Sequence, residues 1–152
     1  MTHTILVGID TRELADGGHI ALLAEVRRLA HALGSEVVLL HLAEADPTFM
    51  GFDADTDTMR DERAQRERAD HRAVQALAAE LREADIEARA LQFRGPPADA
   101  LADRADQLHA DLIAIEAHQR GPLMRALLGS VSHRLVDHAP CPVLVVPRVE
   151  RG

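Results

Sequence analysis

Gly129-Ser130, followed by Val131 and Ser132, is the segment of this chain best suited to hold an anion. A glycine lacks a Cβ, so its amide can come close to an oxyanion and adopt positive φ. A serine opening a helix adds a hydroxyl to the free N-terminal amides, where negative charge is favoured. Without a ligand, the same Ser130 is expected to cap the helix. Asp10 is the second candidate. It ends an apolar run, where a carboxylate either meets a ligand or caps the following turn. Nine histidines raise the question of metal. His133 and His138 are five apart rather than on one helix face, and His41 and His118 are the only pair expected to meet, above the sheet. Core or loop histidines are the reading adopted, with no metal. Cys141 stands between prolines with no basic neighbour, as a small buried residue rather than a reactive thiol.

Several chemistries are excluded by residue type. All 17 basic residues are arginine, so a lysine-dependent phosphate loop and Schiff-base chemistry are both ruled out. Gly-x-Ser-x-Gly and Gly-x-Gly-x-x-Gly are absent, and no nucleophile–base pair is visible. A non-enzymatic protein is the expectation. The net charge of −8 repels phosphate backbones, and aromatic residues make up only 2% of the chain, so nucleic-acid binding is not expected. No apolar run reaches the ~20 residues of a membrane span, and the first residues run directly into a strand-like segment. No membrane association and a cytoplasmic location are the defaults.

The elements that must position these residues follow from periodicity. Apolar runs at Thr4 to Ile9, Glu36 to Leu42, Asp111 to Ile115 and Pro142 to Pro147 read as strands, and Ile86 to Phe93 as an edge strand with one wetter face. The stripe Ile20, Leu23, Val26, Leu29, Leu33 predicts a helix that stops at Gly34. Met59 to Ala84 reads as a long helix whose charged first half is a solvated face and whose Val74, Leu77, Ala78 and Leu81 pack. Pro97 opens a helix with Ala98, Leu101, Ala105 and Leu108 buried, and Ser130 to His138 forms the last. Ala43 to Thr58 is a loop whose Phe49, Met50 and Phe52 form a flap on the core or a contact for a partner or ligand. Glu116 to Gly129 is a second long loop. Alternating strands and helices give a parallel sheet with helices on both faces, in one domain over 1–152. In such a sheet ligands bind beyond the carboxyl ends of the strands. Asp10, Leu42 and the segment from Glu116 all lie there.

The stretch from Asp111 to Val146, with LLGSVS and then HAPCPVLVV, resembles the C-terminal signature of universal stress proteins. ILVGID, VVLLHL and the Gly95-Pro96-Pro97-Ala98 turn agree with it. The resemblance implies an adenine nucleotide alpha hydrolase-like α/β fold, a doubly wound five-stranded parallel sheet of order 3-2-1-4-5. It also implies a homodimer through Pro142 to Pro147 and a stress-response role with protein partners. Asp10 would face the adenine of an adenine nucleotide, with Ile9 and Leu42 lining the base and Ser130, Val131 and Ser132 at the phosphates. Nucleotide-binding members resemble one another in Gly-x2-Gly-x9-Gly-Ser/Thr. Here Gly129-Ser130 and the intervening His118 are kept, but Glu116 and Gln119 replace the first two glycines. ATP binding is therefore expected to be weak or absent, with Arg120 and Arg125 offsetting part of the repulsion. An ATP or AMP sensor with slow or no hydrolysis is the alternative.

Overall fold

The computed structural model describes residues 2–15, 17–43, 57–117 and 130–148. Five strands carry the sheet: β1 at Thr4–Ile9, β2 at Glu36–Ala43, β3 at Ala88–Arg94, β4 at Leu112–Ala117 and β5 at Val143–Pro147. All pairings are parallel, and the order is β3-β2-β1-β4-β5. This is the order expected from the sequence. Four helices connect the strands: α1 at Ile20–Leu33, α2 at Asp57–Glu83, α3 at Pro97–Gln107 and α4 at Ser130–His138.

Strand alternation divides the core into two layers. Ile5, Val7, Ile9, Val37, Leu39 and Ala114 face Leu22, Val26 and Ala30 of α1 and Val74, Leu77, Ala78 and Leu81 of α2. Leu6, Val38, Leu40, Ile113 and Ile115 face Ala98, Leu101 and Ala105 of α3 and Leu135 of α4. The central strands β1 and β2 are apolar on both sides because both sides are covered.

Two glycines have a defined job. Gly34 ends α1 at φ +62, the left-handed position that its place after the apolar stripe predicts. A Cβ at Gly8 would stand 3.1 Å from Leu101 and 3.2 Å from Ile115. That hydrogen in place of a methyl lets α3 settle directly on β1.

The sequence-derived boundaries need one correction that matters for function. The loop expected from Glu116 begins later, because Glu116 and Ala117 belong to β4 and pair with Val146 and Pro147. A ladder requires backbone groups, not apolar side chains, and Arg148 N–H closes it on the Ala117 carbonyl at 3.3 Å. The Phe49, Met50 and Phe52 flap lies outside the described residues, as do His118, Gln119, Arg120, Arg125 and Gly129.

Candidate functional site

The strand order reverses between β1 and β4, so their carboxyl ends form the mouth where a ligand belongs. Asp10 follows β1 with extended backbone. Its Oδ1 accepts from Arg12 N–H at 3.0 Å and so caps the short 3₁₀ turn Thr11–Glu13. The Arg12 guanidinium also donates to both oxygens, at 3.0 and 2.9 Å. The capping role read from the sequence is thus present. An adenine reaching Asp10 would have to share the carboxylate with Arg12.

Ile9 is 3% exposed and packs in the first core layer. Leu42 sits near the end of β2, opposite Phe93 of β3. β1 and β4 pair from Ile5–Leu112 to Val7–Ala114, and Glu116 lies two residues further along β4. By alternation from Ala114, Glu116 points to the α1 side of the sheet. It is half-buried, with Oε1 shielded from solvent. Asp10 and Glu116 thus lie at the carboxyl ends of the neighbouring strands β1 and β4.

Ser130 is the first helical residue of α4. Val131 is half-buried against the second core layer, and Ser132 is 3% exposed. Of the expected site residues, Ile9 ends β1, Asp10 follows it, and Glu116 is the penultimate residue of β4.

The sequence reading missed a polar cluster beside this mouth. His41 lies opposite Ile9 on β2 and has no exposed surface. Its Nε2 is 2.7 Å from Nδ1 of His71 on α2, with the rings tilted by 33°. The neighbouring Asp70 accepts from the Thr11 hydroxyl at 3.2 Å. Helix α2 is thus tied to β2 and to the turn after β1. An apolar run interrupted by one histidine is the only signal in the sequence, and the partner is 30 residues away. The expected approach of His41 to His118 falls outside the described residues; among those described, His41 meets His71.

Burial holds the His41 pKa below the ordinary histidine value, the charge of His71 adds to this, and Asp70 opposes it. The unfolded chain therefore binds a proton at His41 before the folded one does. This share of stability is full above the unfolded value, near 6.5, and is lost as pH falls below it. Thermal midpoints between pH 7.5 and 5 should fall, and His41→Leu should flatten that dependence. An unchanged profile in the variant would assign the pH dependence elsewhere.

Cys141 is half-buried, and burial followed by the charge of Asp111 raises its thiol pKa. No group of three or more His, Cys, Asp or Glu able to hold a metal ion exists among the described residues. Among them, too, no helix is long and apolar enough to cross a membrane.

A family model described as the universal stress protein family matches residues 1–147. A universal stress protein of Thermus aquaticus, encoded in the 3′ region of a QAH/OAS sulfhydrylase, is 32% identical over 148 residues. That match covers 96% of this chain and 99% of the relative. Among solved structures, the universal stress protein UspA of Lactobacillus plantarum superposes with a TM-score of 0.70 at 20% identity, covering 95% of this chain and 97% of that one. The universal stress protein of Archaeoglobus fulgidus, solved in complex with dAMP, gives a TM-score of 0.64 at 18% identity, with the same coverages. At these identities the structural likeness is one of fold.

Proposed function

The chain belongs to the universal stress protein family, and from that premise we propose that it is a cytoplasmic, non-enzymatic stress-response regulator. It acts as a homodimer of single domains spanning 1–152 and works through protein partners. ATP binding is weak or absent. The observation that carries this reading is the pair of carboxylates at the mouth. Glu116, next to the carboxyl end of β4, puts a second carboxylate at the end of the sheet where Asp10 lies and where a nucleotide would bring more negative charge. Like charges in one partly buried site oppose an anion. The buried Ser132 and half-buried Val131 sit in the packing of α4 rather than on an open surface.

The dimer reading rests on β5, an edge strand whose residues 143–146 are all half-buried, with no further strand beyond them among the described residues. Static light scattering on the wild-type chain should give twice the 16.6 kDa chain mass. A monomer mass at micromolar protein would remove the dimer from the account.

The alternative is a nucleotide sensor binding ATP or AMP with slow or no hydrolysis. The dAMP bound to the Archaeoglobus relative, in the same fold, favours it. In this chain Asp10 would then meet the base, and Gly129, Ser130 and Ser132 the phosphates.

A further inference from the structure

Two arginines in the charged half of α2 are placed unlike the others. Arg60, Arg63 and Arg66 each have an acid three or four residues away: Asp57, Glu67, and both Glu62 and Asp70. Arg68 has Ala64, Gln65, His71 and Arg72 at those spacings, and Arg72 has Arg68, Ala69, Gln75 and Ala76. Neither has an acid, and each has the other at i, i+4, where like charges cost a few tenths of a kcal/mol. Among the described residues, neither makes a hydrogen bond or an ion pair. On a chain with net charge −8, this is a local excess of uncompensated positive charge.

The two arginines flank a hollow. Residues 64, 67, 68, 71 and 72 fall on one face of α2. With Gln92 of the edge strand β3 they line a space of about 300 Å³. Ala64 leaves room at one end. Glu67, the only acid among the described lining residues, is already committed: its Oε2 accepts from Arg94 at 2.8 Å, and its side chain is 16% exposed. Nδ1 of His71 faces His41, which leaves Nε2 as the nitrogen available to the hollow. His41 Nδ1 is buried without a partner among the described residues. An anion in the hollow would therefore favour one arrangement of the pair: His41 Nε2–H donates to His71 Nδ1, and His71 Nε2–H donates outward.

We infer that this hollow between α2 and β3 binds a compact phosphate-bearing anion, inorganic phosphate or a small phosphate monoester, clamped by Arg68 and Arg72. Guanidinium forks match phosphate oxygens two at a time. His71 and the Gln92 amide supply further donors. The volume lies at the bottom of the range for small-molecule sites, which fits a compact dianion. The site is separate from the mouth between β1 and β4, and does not depend on whether that mouth takes a nucleotide.

The test is a ¹H–¹⁵N NMR titration with inorganic phosphate and, separately, glycerol 3-phosphate, with chloride holding the ionic strength constant. The absence of Trp and Tyr rules out intrinsic fluorescence from those residues as a readout. Saturable shifts at residues 64–72 and 92 are expected. Arg68→Gln with Arg72→Gln should weaken binding at least about tenfold with an unchanged thermal midpoint. Arg82→Gln, elsewhere on the same helix, should leave binding unchanged. Equal affinity for the two probes assigns the site to the free anion, and tighter binding of the ester assigns it to a phosphorylated metabolite. Shifts that do not saturate at millimolar phosphate, or an affinity untouched by the double substitution, would overturn the assignment.

Discussion

Replacing Glu116 and Gln119 together by glycine should tighten Mg-ATP binding at least about tenfold. Glu116 stands next to the carboxyl end of β4, with one oxygen shielded from water. A phosphate charge at about 7 Å from it would be repelled by roughly 2 kcal/mol at an effective dielectric near 20. Gln119 adds a Cβ where the family pattern places a glycine. If the backbone there is left-handed, its removal returns about 1–2 kcal/mol. The two gains together exceed tenfold even if half is lost to rearrangement. Calorimetry on both proteins under one buffer measures it. Equal affinities would mean that the β4–α4 connection does not lie on the phosphates.

Replacing Val145 by proline should abolish dimerisation and leave the monomer folded. The reason lies in ladder parity. Ile113 N–H donates to the Pro142 carbonyl, and Arg148 N–H donates to the Ala117 carbonyl. In a parallel pair, alternate residues of a strand bond to the same neighbour. The backbone groups of residues 142, 144, 146 and 148 are therefore turned toward β4, and those of Val143 and Val145 toward the free edge. Pro147 has no N–H to offer. Proline at 145 deletes an outward donor and leaves the β4 pairing intact, the one kind of place where a strand accepts it. Losing a strand-pairing donor and gaining a ring on the edge should cost about 3 kcal/mol, over a hundredfold in dimer affinity. Light scattering should report the monomer mass, with circular dichroism unchanged. A dimer that persists would place the interface elsewhere.

The fold was legible because its strands are apolar runs with turns on either side, and its helices carry one stripe each. β1, β2 and β5 stand within a residue or so of where their composition ends, and Gly34 stops α1 where the stripe does. The strand order came from the LLGSVS and HAPCPVLVV resemblance, since alternation alone gives parallel strands but not their sequence in the sheet. The end of β4 was hidden because Glu116 breaks the apolar run, although a ladder with β5 carries on through it. The His41–His71 contact was invisible for another reason. It depends on α2 crossing over the end of β2, which no local pattern encodes. The arginines Arg68 and Arg72 lie between these cases. Their missing i±4 acids are written in the sequence, but only the hollow beside Gln92 gives that absence a meaning.

The central claim is that the mouth between β1 and β4 is not occupied by nucleotide in working conditions. The direct measurement is the nucleotide content of gently purified protein, denatured and resolved by ion exchange, followed by titration of the emptied protein with Mg-ATP. The account predicts no stoichiometric nucleotide and no saturable heat below millimolar ATP. Function would then reside in the dimer and its partners. One adenine nucleotide per chain would contradict it, and would mean that Glu116 is tolerated beside the phosphates and that the sensor reading is correct.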